Sequence, residues 1–212
     1  MKTSPLFHPL LIALAAAMAA SPVLGQETTT EAEAPAVPEV KDFTLGNPDA
    51  PVKIVEYASF TCPHCAHFAE TVFKPLKADY IDTGKVHFTL REVYFDRYGL
   101  WAAMMARCGG DLKYFPVTET LFATQSEWAG TEDPTAAVAN LRKIGLASGM
   151  TAEQLDKCMA DAPMADAMVK RFEANMAADQ VDGTPTLFLN GEKHGNMSYE
   201  DLKALIDAAL AG

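Results

Sequence analysis

Two cysteines three positions apart, Cys62 and Cys65, enclose Pro63 and His64. That spacing suits a dithiol that cycles with a disulfide. An apolar, β-favouring run at 52–60 precedes the pair, and a stretch of helical period follows it. The dithiol therefore stands where a strand hands over to a helix. A helix N-terminus offers unpaired backbone N–H groups and a partial positive charge, and both favour a thiolate at Cys62. His64, protonated or donating a hydrogen bond, adds to that bias. Such surroundings bring a cysteine pKa from about 8.5 to roughly 3.5–7.5. A stable thiolate is a good leaving group, so the disulfide form gives up its oxidising equivalents readily. The rival readings are a zinc half-site and an inert bridge. Zinc needs several converging ligands, and the chain has no second Cys-x-x-Cys to supply them. His64 and His67 lie on the same short segment and would not complete a tetrahedral set.

The chain begins with Lys2, an apolar core at 10–20 and a small-residue exit at Val23-Leu24-Gly25. This reads as a secretory leader, residues 1–25, cleaved before Gln26. The alternative is an uncleaved anchor, but the apolar core falls short of the about 20 residues a membrane span needs. No cysteine near the cleavage site indicates a lipoprotein. Export would place the four cysteines in an oxidising compartment. With Cys62 and Cys65 paired, Cys108 and Cys158 remain as the second couple, read as a structural staple rather than an electron relay. Closing a loop of about 50 residues in this way is worth about 4 kcal/mol in the chain-entropy model. Without its leader the chain carries 16 basic and 28 acidic residues, a net charge of −12. With no basic cluster, it is a poor binder of nucleic acid or of anionic membrane surfaces.

Residues 26–40, rich in Thr, Glu, Ala and Pro, read as a solvated tether without a heptad pattern. A turn-rich segment, 46–51, leads into a strand at about 52–58 whose near-continuous apolar character suits burial on both faces. Glu56 interrupts that strand. A carboxylate there either faces solvent at an edge or lies beneath the dithiol, moving protons to and from Cys65 through water. Apolar or small residues at 65, 69, 72, 76 and 80 predict a helix to about residue 82, kinked at Pro75. A second strand follows at 86–92, making a parallel strand–helix–strand unit. From 97 to 178 the chain predicts four or five helices, with starts at Thr118, Asp133-Pro134 and Thr151, and stops at Gly109-Gly110, Gly145 and Gly149. Its methionines read as core filling, the alternative being an adaptable groove for unfolded chains. Trp101 and Trp128 read as packing residues. Strand character returns after Val181, Asn190-Gly191 predicts a hairpin, and a last helix at about 198–210 is capped by Ser198. The order is β-α-β, helical block, β-β-α.

Cys62-Pro63-His64-Cys65 after Glu56-Tyr57-Ala58-Ser59-Phe60, a helical insertion, and Gly183-Thr184-Pro185-Thr186 before a hairpin and helix together resemble the DsbA family of periplasmic thiol–disulfide oxidoreductases. The resemblance covers about 41–212. It implies an α/β, thioredoxin-like domain at 41–96 and 179–212, with an inserted all-helical domain at 97–178. By the same resemblance Cys62 is the exposed nucleophile and Cys65 its shielded partner. Pro63, His64 and the buried acid Glu56 tune the thiolate. Thr184 and the cis proline Pro185 present backbone to an extended substrate segment. The second couple, Cys108 and Cys158, matches a subgroup with a disulfide in the helical domain.

The expected activity is oxidation of reduced, newly secreted polypeptides in the periplasm by a monomer with no cofactor or metal. A DsbB-like, quinone-coupled membrane protein would reoxidise it. The alternatives are an isomerase or reductase using the same site, and a non-catalytic chaperone or metal-binding protein.

Overall fold

The computed structural model describes residues 38–212. The expected leader, 1–25, and residues 26–37 of the expected tether lie outside the described residues. Among the described residues five strands form one mixed sheet, ordered β1-β3-β2-β4-β5. They are β1 (Phe43–Leu45), β2 (Val52–Ala58), β3 (Val86–Glu92), β4 (Thr186–Leu189) and β5 (Glu192–His194). Only β2 and β3 run parallel; the other neighbours are antiparallel. The central strand is β2, paired with β3 on one side and β4 on the other. It buries Val52, Ile54, Tyr57 and Ala58, which explains its lack of polar alternation.

Between β2 and β3 the chain winds through α1 (Pro63–Phe68), a π-turn (Ala69–Phe73), α2 (Lys74–Leu76) and a second π-turn (Lys77–Ile81). The expected straightforward α period gives way to these wider turns on either side of Pro75. The buried stripe consequently runs through Phe68 rather than Ala69, then Val72, Leu76 and Tyr80. Six helices separate β3 from β4 among the described residues: α3 (Arg97–Cys108), α4 (Asp111–Ala123), α5 (Gln125–Ala129), α6 (Pro134–Ala147), α7 (Ala152–Met159) and α8 (Ala162–Ala178). The last helix, α9 (Tyr199–Ala211), follows β5. Side-chain caps begin most of these helices. Asp96, Asp133, Thr151, Asp161 and Ser198 each accept a backbone N–H of the first turn.

Three expectations are corrected here. The short edge strand β1 was not anticipated; three residues give too little alternation to register, and β1 is fixed by pairing with β3. Thr118 does not start a helix, because α4 begins at Asp111 and continues through Pro116, leaving Thr118 buried in its interior. Gly145 does not stop α6. It lies inside the helix where Leu155 of α7 packs closely, and a Cβ there would meet Leu155 Cδ2 at 2.6 Å. Asn190 and Gly191 both have positive φ, as a two-residue hairpin of this type requires.

Cys108 and Cys158 form a disulfide between the C-terminal ends of α3 and α7, with Cα atoms 5.8 Å apart. Beside it, Met104, Met164, Met168, Phe43 and Arg107 line a cavity of about 320 Å³. Met105 and Met150 fill the core, as does Trp128, whose indole N–H donates to the Leu121 carbonyl at 2.8 Å.

The helical block is tied to the sheet through a buried acid. Glu92, at the end of β3, accepts from Arg107 Nε (2.9 Å), Tyr114 Oη (2.7 Å) and Tyr94 Oη (3.0 Å). Arg107 Nη1 donates onward to the Lys41 carbonyl at 2.9 Å. Replacing Arg107 with methionine strands a buried charge, a change that typically costs about 3–5 kcal/mol. Denaturant titration of Arg107→Met should show a loss of this size, and Tyr114→Phe a smaller one of about 1–3 kcal/mol.

Candidate active site

The loop from Ser59 to Cys62 turns the chain from β2 into α1. Cys62 is the N-cap of α1, with φ −83° and ψ 119°, and its carbonyl accepts from the N–H groups of Cys65 (3.1 Å) and Ala66 (3.2 Å). Pro63 occupies the first helical position, where its missing N–H costs nothing. These placements leave Cys62 half-buried and Cys65 fully buried one turn below. Pro63 and His64 are exposed.

From the far end of the chain, the segment before β4 closes over the sulfurs. The Thr184–Pro185 peptide bond is cis, and the Cys62 thiol donates to the Thr184 carbonyl at 3.4 Å. The Thr184 hydroxyl is buried beside the sulfurs.

The two sulfurs are electrostatically unlike. The Cys62 thiol is lowered to about 5, first by a hydrogen bond from the Cys65 thiol. Burial opposes this, and the Thr184 hydroxyl and the backbone N–H groups of Cys65 and His64 reinforce it. The same sulfur–sulfur hydrogen bond, then burial, then the charge of Glu56 push the Cys65 thiol far above its usual range. His64 thus contributes through its main chain. Glu56 lies in the central strand, buried, and not at a solvent-facing edge. Burial first, and the Cys62 anion second, raise its carboxyl to about 8.

Sequence reasoning missed two side chains that hold this loop, both from the helical block. Gln125, first residue of α5, donates Nε2 to the carbonyls of Phe60 (2.8 Å) and Cys62 (3.0 Å). Asp96, the N-cap of α3, accepts from Thr61 Oγ1 at 2.6 Å while holding Gly99 N–H at 2.9 Å. The spacing Asp-x-x-Gly at a helix start signals the cap; no local pattern signals Gln125. A groove of about 520 Å³ runs beside α1, lined by His67, Phe68, Thr71, Met197 just before α9 and Tyr199 at its start. Among the described residues no cluster of His, Cys, Asp and Glu is arranged to hold a metal. No helix among them is long and apolar enough to cross a membrane.

A family model described as "Thioredoxin" matches residues 39–208. A protein of Rickettsia bellii named "Putative protein-disulfide oxidoreductase" is 33% identical over 170 residues, covering 80% of this chain and 64% of the relative. The chain therefore spans less than two thirds of that relative's length. Disulfide bond formation protein D of Bacillus subtilis is 26% identical over 179 residues, covering 79% of this chain and 77% of that protein. The crystal structure of Wolbachia pipientis alpha-DsbA1 aligns with TM-score 0.75 and 28% identity, covering 82% of this chain and 93% of that one.

The folded pKa of Cys62 lies below its ordinary 9.0, so the ionised sulfur stabilises the dithiol fold. That contribution is complete above about pH 9 and is lost as pH falls through about 5. Titration of the thiolate ultraviolet absorbance in the reduced protein should give a midpoint near 5. Thr184→Val, which removes a donor to the anion, should move it upward.

Proposed function

Because this chain belongs to the thioredoxin family, in its DsbA-like group, we propose that it oxidises cysteines of other polypeptides by exchange at Cys62 and Cys65. The observation that carries the reading is the inequality of the two sulfurs: one half-exposed with a pKa near 5, the other buried and held as a thiol.

In the disulfide form, a substrate thiolate attacks Cys62 Sγ, the sulfur that reaches the surface. The Cys62–Cys65 bond breaks, and Cys65 leaves with the electron pair. Glu56, neutral below about pH 8 and with its charge felt at Cys65, is the acid that returns a proton to Cys65. The substrate's second thiolate then attacks the substrate sulfur of the mixed disulfide and releases Cys62 as an anion. The substrate loses two electrons and becomes a disulfide; the protein gains them as a thiolate–thiol pair. The Thr184 backbone and the groove beside α1 offer an extended substrate segment main-chain and apolar contacts.

The leader-like start and the DsbA-like group support work in the periplasm on reduced, newly exported chains. A quinone-coupled membrane protein of the DsbB kind would then reoxidise Cys62–Cys65, and the protein would act as a monomer. The Cys108–Cys158 bond serves as a staple between α3 and α7.

Equilibration with glutathione tests the direction. An oxidase should settle with Cys62–Cys65 reduced under mildly oxidising glutathione, and a disulfide that resists reduction there would overturn the reading. Cys62→Ser should abolish turnover of a reduced substrate, and Cys65→Ser, reacted with a disulfide-bonded peptide as the oxidant, should accumulate the mixed disulfide at Cys62, visible by mass.

A further inference from the structure

Sulfur side chains from three helices converge on the cavity of about 320 Å³ beside the second disulfide: Met104 and Cys108 from α3, Cys158 from α7, and Met164 and Met168 from α8. Met104 and Cys108 stand one helical turn apart, as do Met164 and Met168, so each pair shares a face of its helix. The Cys108–Cys158 bond ties the end of α3 to α7, and α8 begins just after α7 ends, so the two faces meet across one space. Met104 and Met168 are buried and Met164 is half-buried. The two cysteine sulfurs are bonded to each other, which leaves the three thioethers to act as donors.

The charges on the wall favour a cation. Its two basic side chains are already paired, Lys41 with Asp111 and Arg107 with Glu92. Its carboxylates, Glu39 and Asp161, have no ion-pair partner among the described residues. Asp161 caps α8 by accepting the Met164 N–H at 3.0 Å, which sets its charge beside that residue. Met105 and Met150 simply fill the core, whereas these three methionines border a space that also carries two acids. A thioether is neutral, soft and polarisable, and its unbranched stem turns about several bonds, so three sulfurs can close on one ion without moving a helix. Soft sulfur ligands select Cu(I), while carboxylate, carbonyl and water suit Mg²⁺ and Ca²⁺. Structural zinc and iron–sulfur clusters call on thiolates, and both cysteines here are paired.

We propose that this cavity is a binding site for a soft monovalent cation, Cu(I), held by the thioether sulfurs of Met104, Met164 and Met168. Glu39 and Asp161 offset its charge from the wall. Binding releases no proton, because none of the three ligands carries one, and neither cysteine pair changes oxidation state. The site shares no residue with Cys62 and Cys65 and does not depend on the direction of their exchange.

The probe is Cu(I) itself, added without air to the full chain with both cysteine pairs oxidised, in competition with a chromophoric Cu(I) chelator. One equivalent should pass from the chelator to the protein, and X-ray absorption should show sulfur as its only ligand type. Met104→Leu, Met164→Leu and Met168→Leu nearly conserve side-chain volume, the kind of core change best tolerated. Each should weaken binding at least about tenfold, since losing a ligand costs more than losing a supporting partner, itself worth about 10–100-fold. Met176→Leu is the control: it lies on the same helix but packs in a different cluster, with Tyr57, Val93 and Val181, and should bind as wild type does. Near-ultraviolet circular dichroism checks the packing of all four. Between about pH 5.5 and 8 the affinity should stay level, whereas imidazole or thiolate ligands would lose the ion in acid. No transfer from the chelator, wild-type binding in the three cavity variants, equal loss in Met176→Leu, or an affinity that falls in acid would overturn the site.

Discussion

One proton between two sulfurs governs this site. Cys65, buried and facing Glu56, keeps that proton, and by donating it to Cys62 stabilises the neighbouring charge. The same hydrogen bond therefore lowers one thiol and raises the other, and no separate cation is needed. The backbone N–H groups of His64 and Cys65 at the start of the helix add to this stabilisation. Everything else in the fold serves to keep the pair unequal: β2 delivers the loop at a fixed height, α1 begins at Cys62, and the Thr184 segment caps the exposed sulfur.

Holding that loop falls to the helical block as much as to the sheet. Gln125 grips two carbonyls of the turn, and Asp96 holds Thr61, so two helices of the insertion fix the backbone that presents Cys62. The block is in turn held to the sheet by the Glu92–Arg107–Tyr114 cluster and, near the start of β4, by Arg91 bridging Tyr57 and Asp179 at 2.8 Å each. Buried charge of this kind is costly to assemble and worse to break, which favours a block seated in one way.

Much of this was legible in the chain. The dithiol at a strand–helix junction, the strands at 52–58 and 86–92, the Asn190-Gly191 turn and the Ser198 cap follow from local chemistry, and each appears at its expected place. What stayed hidden depends on distant partners. β1 exists because β3 offers it an edge, and Gly145 continues a helix because Leu155 needs the room. Gln125 looks like any surface glutamine until α5 is laid beside the loop. Thr118 read as a helix start, whereas in the fold α4 runs through Pro116 and buries Thr118 in its interior.

The contact between Cys62 and Thr184 joins residues 122 positions apart. A ribosome delivers chains from the N-terminus at about 5–20 residues per second, so the reactive sulfur is made several seconds before the backbone that covers it. In that interval the newborn chain carries its own cysteines unguarded, alongside Cys108 and Cys158. A protein built to rearrange the sulfur bonds of others must first avoid mispairing its own.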